Sequence, residues 1–356
     1  MSNQEKNGTL NIGIIGLRAG LGHIDGYLTH PNAKVKAICD VNTEVLNRTG
    51  KKYGVERQYK SYQEMIEKEN LDIVSVATPN SLHKEMTIFA LEQGLHVLCE
   101  KPIGLNAKEA IAMHHKSQEM SKRLMLNYCY RFTPQAVAMK QRIDEGLVGE
   151  IYSASCHWLR NISGFSQFSG WFGKKEMSGG GVLIDIGIHY LDKALWLMGF
   201  PEVEMVVAST HDRICRQLGK NLNAGFDVED TVESFIKFKN NACLMLQASW
   251  AANILESNLI ELRLLGEKEG ILEQNINQGY TFQAQTFYES NGVSYTLKIE
   301  DVRPELCPSA MHSFVDAIIK DKPHKASSSE AVKVMEIVDA IYQSAQTGQP
   351  IFFPPS

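Results

Sequence analysis

The sequence predicts an α/β fold in two parts: an open parallel sheet with helices on both faces, then an α+β domain with an open, mostly antiparallel sheet. Three observations predict it. From Asn11 to about Leu126, short β-branched runs alternate with helical patterns, as expected of strands joined by crossover helices. A glycine-rich turn, "GIIGLRAGLGH", separates the first strand pattern from the first helix. In the second half, longer runs alternate polar and apolar residues, as in a sheet with one covered face. The chain has 356 residues, 44% of them apolar. A single core seldom outgrows ~250–300 residues, so two domains are expected, 1–130 and 131–356.

The elements follow in order. "NIGIIG", "KVKAICD", "LDIVSVATP" and "LHVLCEKP" are four strand patterns, and "LMLNYCY" is a fifth. Between them, "NTEVLNRTGKKYG" has Thr43 as its expected N-cap and Gly54 as its stop. "SLHKEMTIFALEQG" is amphipathic and ends at Gly94, and "NAKEAIAMHHKSQEMS" follows the fourth strand. The second half offers strands at "EIYSASCHWLR", "EVEMVVAST", "VEDTVESFIKFK", "ACLMLQASWAA" and "LIELRLLGEKEGILEQ". Helices are expected at "PQAVAMKQRIDEG", "IDIGIHYLDKALWLMG", "SAMHSFVDAIIKD" and "SSEAVKVMEIVDAIYQSAQTG".

Composition narrows the function. The net charge is −5, and a mildly acidic chain does not invite nucleic acid or an anionic membrane surface. No apolar run approaches the ~18–20 residues of a membrane span. The N-terminus is polar, which sets the expectation of a cytoplasmic protein. Seven cysteines lie dispersed without a C-x-x-C pair, so reduced, packed thiols are expected and no metal site.

Glycines after a first strand let the backbone approach a pyrophosphate, which a helix N-terminus then holds. With Gly16 as the first glycine, Arg18 stands where a second would, and Gly20 and Gly22 flank Leu21. Asp40 ends the second strand. A carboxylate there accepts from ribose hydroxyls and repels a 2′-phosphate, which favours NAD over NADP. Arg18 and Arg48 are the side chains that would argue the other way. Parallel strands turn their C-terminal ends toward the ligand crevice. Lys101 lies at such an end, ahead of Pro102, and Ala77, Thr78, Pro79 and Asn80 end the neighbouring strand. In "DIGIH", Asp185 and His189 are four residues apart and share a helix face. Gly187 between them leaves room for a ligand. An imidazole takes a proton from a hydroxyl near neutral pH. The carboxylate either tunes it or holds a hydroxyl itself.

Together "EKP", "ATPNSLH" and "SGGGVLIDIGIHYLDKALWLMG" resemble the glucose–fructose oxidoreductase, inositol dehydrogenase and rhizopine catabolism (Gfo/Idh/MocA) family. The resemblance runs from Asn11 to about Tyr342. It implies a Rossmann NAD-binding domain, then an α/β domain carrying the substrate side and the oligomer contact. It implies oxidation of a secondary hydroxyl of a sugar or cyclitol, with Lys101, His189 and Asp185 catalytic and Lys101 opposite the aspartate–histidine motif. It assigns the cofactor to Gly16, Leu17, Arg18, Gly20, Asp40, Ala77, Thr78, Pro79, Asn80, His83, Glu100 and Lys101. The substrate falls to Tyr130, Arg131, Trp158, Arg160, Trp171, Asp185 and His189, while Asp192 is read as a helix-surface charge. Two other functions share this fold: cleavage of a glycoside through transient oxidation with recycled NAD, and a non-catalytic NAD/sugar sensor. The expected partner is a small sugar, cyclitol or glycoside, and the expected assembly is a homodimer or homotetramer.

Overall fold

The structure, a computed structural model, describes residues 8–163, 170–221 and 225–354, with only the backbone at 219–221. By internal packing these residues form two compact units. The first runs up to Cys129 and takes back Pro308–Met335; the second holds Tyr130–Cys307 and everything from Glu336 on. The sequence reading gave all of 131–356 to the second domain. The structure returns Pro308–Met335 to the first.

The first unit is a six-stranded parallel sheet. Its strands are β1 (Leu10–Ile15), β2 (Ala33–Cys39), β3 (Arg57–Tyr59), β4 (Ile73–Val76), β5 (His96–Cys99) and β6 (Leu124–Leu126). They lie in the order β3-β2-β1-β4-β5-β6, so the order reverses between β1 and β4. Ile12, Ile14, Ile73, Val74, Val76, Val97 and Leu98 are fully buried at the sheet's centre, which is why these strands read as continuous apolar runs. The helices are α1 (Gly20–Leu28), α2 (Thr43–Tyr53), α3 (Tyr62–Lys68), α4 (His83–Glu92) and α5 (Ala107–Glu119). Asn42, one residue before the expected Thr43, caps α2 by accepting from the N–H groups of Glu44 and Val45, and Gly54 ends it at φ +68°.

The second unit contains α6 (Pro134–Asp144), β7 (Ile151–Asn161), α7 (Lys175–Ser178), α8 (Ile188–Leu197), β8 (Val203–His211) and α9 (Arg213–Asn221). Next come β9 (Thr231–Phe238), β10 (Cys243–Ala252), β11 (Asn258–Gly266), β12 (Gly270–Ile276), β13 (Thr281–Ser290) and β14 (Val293–Ile299). Helix α10 (Ala310–Ile319) belongs to the returning segment of the first unit. Helix α11 (Ser328–Thr347) begins in that segment, and β15 (Ile351–Phe352) follows it. Nine strands form one sheet in the order β14-β13-β12-β11-β7-β10-β9-β8-β15. Every pairing is antiparallel except β7 with β10. On one face Ala154, Cys156, Leu244, Leu246, Val232, Ile236, Ile260 and Leu262 are buried. The alternate positions point away from that core.

The hairpin β13–β14 was not anticipated from the sequence. Its turn is Asn291-Gly292, both at positive φ, the geometry that two-residue hairpin turns demand. No helix among the described residues is long and apolar enough to cross a membrane.

Candidate active site

In the first unit the strand ends meet the requirements of a dinucleotide cradle. Gly16 sits at φ +85°, and a Cβ there would lie 2.4 Å from the Ala77 carbonyl oxygen. Only glycine fits that turn. Ala19 at the start of α1 makes no side-chain cap, so the helix N-terminus keeps N–H groups for an anion. Asp40 accepts from Leu17 N–H at 2.8 Å through one oxygen and from Asn42 N–H at 2.8 Å through the other. Each carboxylate oxygen has a second lone pair, so the group is held in place and can still accept from hydroxyls. These residues fit NAD.

At the end of β4, Asn80 opens a short 3₁₀ turn and is buried. His83 follows. Its ring has no exposed surface. One nitrogen lies 2.7 Å from the Pro102 carbonyl oxygen and the other 2.9 Å from that of Thr78. Burial pushes the imidazole down, against the two carbonyls that favour its charged form. Set between these two carbonyls, His83 braces two strand-end loops.

Glu100 and Lys101 end β5, and the Lys101–Pro102 peptide is cis. Glu100 belongs to a buried polar cluster. Its Oε1 lies 2.8 Å from His23 Nε2 and accepts from Asn127 Nδ2 at 2.7 Å. Its Oε2 accepts from the Lys101 N–H at 3.2 Å. His23 Nδ1 and the Tyr27 hydroxyl each lie 3.0 Å from Ser75 Oγ. Burial works to raise the Glu100 carboxyl. The His23 hydrogen bond and charge, the Asn127 amide and the Lys101 ammonium outweigh it and bring the group down to about 2. The sequence reading gave Glu100 to the cofactor, but its carboxylate first fixes the backbone that carries Lys101. His23 and Asn127 were missed, since no short-range pattern marks partners this distant in sequence.

In the second unit the motif forms a single widened turn. Leu183–Gly187 is π-helical and runs directly into α8. Such a turn is rare and often marks a functional site. Two glycines make it possible. A Cβ on Gly180 would lie 1.9 Å from the Tyr342 hydroxyl, and one on Gly181 would lie 1.9 Å from the Glu229 carbonyl oxygen. The Glu229 carboxylate accepts from Gly181 N–H at 2.9 Å, Leu183 N–H at 3.0 Å and the Tyr342 hydroxyl at 2.9 Å. Burial raises this carboxyl, while those three donors oppose the rise. Glu229 is thus a functional candidate the sequence did not reveal.

Asp185 projects from this turn and His189 from the first turn of α8, both half-buried. Trp250 Nε1 donates to Asp185 Oδ2 at 3.0 Å, and Arg160 Nη1 stands 3.8 Å from the same oxygen. The His189 ring packs edge-on to Tyr130 at 5.0 Å and lies 6.0 Å from Trp158. Tyr190, Phe282 and Tyr280 extend the ring cluster. The structure therefore brings Tyr130, Trp158, Arg160, Asp185 and His189 together.

Four expectations need correction. Arg131 is fully buried and donates from Nε and Nη2 to the two Asp192 oxygens at 2.8 and 2.5 Å. It is a core ion pair, not a pocket lining. Asp192 is equally buried and is not a surface charge. Trp158 is only 2% exposed, and its N–H is given to Asn258 Oδ1 at 3.0 Å, so it supports the cluster from behind and has no N–H left for a sugar. Trp171 stacks on its neighbour Phe172, away from the described ring cluster.

Comparison with known proteins finds relatives over both halves of the chain. Residues 10–128 match an oxidoreductase family's NAD-binding Rossmann fold, and residues 140–353 match that family's C-terminal alpha/beta domain. The chain is 32% identical over 351 residues to D-glucoside 3-dehydrogenase of Escherichia coli (strain K12), covering 95% of this chain and 96% of that protein. It is 31% identical over 270 residues to myo-inositol 2-dehydrogenase of Thermotoga maritima, covering 76% of each. Among solved structures it is similar to levoglucosan dehydrogenase in complex with NADH and levoglucosan. The TM-score is 0.86 at 26% identity, over 98% of this chain and 100% of that one.

Proposed function

The chain belongs to the Gfo/Idh/MocA oxidoreductase family, and from that premise we propose that it oxidises a secondary hydroxyl of a sugar-like substrate. The observation that carries this reading is the widened turn in the second unit. It holds a fixed carboxylate and leads directly into the helix that carries the imidazole, at the edge of an aromatic cluster. NAD, when bound, supplies the hydride acceptor. Gly16, Leu17, the start of α1 and Asp40 are the residues that would hold it, with Thr78, Pro79 and Asn80 at the neighbouring strand end.

His189 takes the hydroxyl proton. Positioned acid–base groups of this kind contribute about 10²–10⁴-fold. Asp185 cannot swing away, because the Trp250 indole N–H and the Arg160 guanidinium hold it. It is therefore oriented either to support the imidazole or to receive a hydroxyl. Lys101 in the first unit is the second proton-handling candidate, with its backbone N–H tied to Glu100.

The test is a panel of sugars, cyclitols and glycosides with NAD and with NADP, read at the absorbance of the reduced cofactor and for released aglycone. Reduced cofactor formed from at least one compound, more efficiently with NAD, is the expected result. Aglycone release with no net reduction would replace this reading with redox-assisted cleavage. A clear preference for NADP would overturn the role given to Asp40.

A further inference from the structure

One member of the aromatic cluster has no task in the proton chemistry. Tyr280 stands on the turn between β12 and β13, and it is 59% exposed. Its ring lies 6.2 Å from Trp158 at an angle of 62°. Arg160 Nη2 donates to its hydroxyl at 3.0 Å. The same guanidinium lies over Trp158 at 5.4 Å and presents Nη1 to Asp185 at 3.8 Å. One guanidinium thus links the reacting-site carboxylate to the tyrosine.

The turn beneath Tyr280 is braced. Asn275 Nδ2 donates to the carbonyls of Asn258 and Gly279 at 2.9 and 3.1 Å, and its Oδ1 accepts from Ile260 N–H at 2.9 Å. Gln278 Oε1 accepts from Ser257 N–H at 2.7 Å. Asn277 and Gln278 both hold positive φ within it. An exposed tyrosine is ordinary on a surface. A tyrosine whose hydroxyl and supporting turn are both fixed is a preorganised flat surface, and preorganisation lowers the entropy lost on binding.

With the Arg160 guanidinium standing between Asp185 and Tyr280, a ring whose hydroxyl is held at Asp185 leaves the tyrosine to its far side. What stacks on the tyrosine is therefore the group attached beyond that ring. We propose that Tyr280 is an outer stacking subsite for the O-linked substituent of a glycoside. The substrate class is then glycosides with a ring-bearing aglycone or a second sugar, in preference to free monosaccharides and cyclitols. This rests on the reading of the chain as a sugar oxidoreductase.

The experiment compares phenyl β-glucoside, methyl β-glucoside, glucose and myo-inositol with the NAD-saturated enzyme, for wild type, Tyr280→Ala and Tyr280→Phe. Aromatic stacking contributes about 0.5–1.5 kcal/mol beyond area burial. Tyr280→Ala should therefore lower kcat/KM for phenyl β-glucoside about 3- to 10-fold, through KM. The loss on glucose should be clearly smaller, and Tyr280→Phe, which keeps the ring but loses the Arg160 bond, should fall between wild type and Tyr280→Ala. Equal losses on all four compounds, or no loss on the phenyl glucoside, would overturn the subsite. Calorimetric binding of phenyl β-glucoside to the wild type and Tyr280→Ala is measured alongside. If no compound is oxidised, the functional reading fails. The subsite then stands only if wild type binds the phenyl glucoside and the alanine variant binds it about 3- to 10-fold more weakly, and it falls otherwise.

Discussion

Glu100 and Lys101 are chain neighbours with different tasks. The carboxylate is sunk into a cluster of His23, Asn127 and Ser75, while the lysine is the group proposed to meet chemistry. We expect Lys101→Ala to lower turnover about 10²–10⁴-fold and to leave NAD binding within a few-fold, as titration of cofactor fluorescence would report. Glu100 makes a prediction about stability. Its folded pKa, about 2, lies below the unfolded carboxyl value, so its contribution is complete above about pH 4.5 and is lost as pH falls from there toward 2. Glu100→Gln should therefore destabilise the protein by about 2 kcal/mol at neutral pH. The gap between the variant and wild type in thermal melts should narrow steadily below pH 4.5. A gap that widens on acidification would contradict this sign. Arg131 shows the limit of reading single residues. It follows Tyr130, which does join the ring cluster. Its own partner, Asp192, is on a helix that no local pattern connects to it.

At the scale of elements, the decisive piece is the π-helical turn and the carboxylate that secures it. Glu229→Ala would leave the Gly181 and Leu183 N–H groups without their acceptor, at about 1–3 kcal/mol for each buried donor left unmade. The expected result is a clear fall in melting temperature, with turnover falling at saturating NAD. Tyr342→Phe removes one donor only and should cost less on both measures. Unchanged turnover in a folded Glu229→Ala variant would show that the turn does not depend on this cap. Most strands and helices of the first unit were legible because a buried parallel strand is a run of β-branched residues and its helices carry their own stops; β3 and α3, three and seven residues long, were not. The motif helix was legible too, but its π geometry was not. That geometry depends on glycines packed against Glu229 and Tyr342, which are distant in sequence. The β13–β14 hairpin carries two local signals, the Asn291-Gly292 turn and the apolar–polar alternation of VSYTLKI in β14, although that strand is exposed along nearly its whole length.

At the scale of the molecule, the face of the nine-stranded sheet opposite the buried core carries an apolar row. Val207 pairs with Phe235, and Phe235 pairs with Met245. All three are substantially exposed, Met245 by 50%. A row of this kind on adjacent strands is suited to a second copy of the same face. We expect a homodimer or homotetramer at micromolar concentration by light scattering. A double variant, Phe235→Lys with Met245→Glu, should shift it to a smaller species without unfolding it. A monomeric wild type would refute the prediction.

The path of the chain has a consequence for how such a protein can be recombined. The polypeptide crosses between the two units after Cys129, after Cys307 and again after Met335. The returning segment completes the first unit. Leu126 N–H donates to the Ala326 carbonyl at 3.0 Å, and Met125 bridges to Ser327. Gly26 leaves α1 room for Met311 of α10, and Thr29 Oγ1 lies 2.7 Å from His312 Nε2. A single genetic crossover near position 130 would therefore join a cofactor half from one parent to a foreign edge for its own sheet. Chimeras that trade substrate preference while keeping the dinucleotide half intact require three breakpoints, with Tyr130–Cys307 and the stretch from Glu336 on exchanged together. Breeding by such triple exchanges keeps each sheet with its own closing segment, β15 with β8 included, and libraries made by one cut lose that pairing in every member.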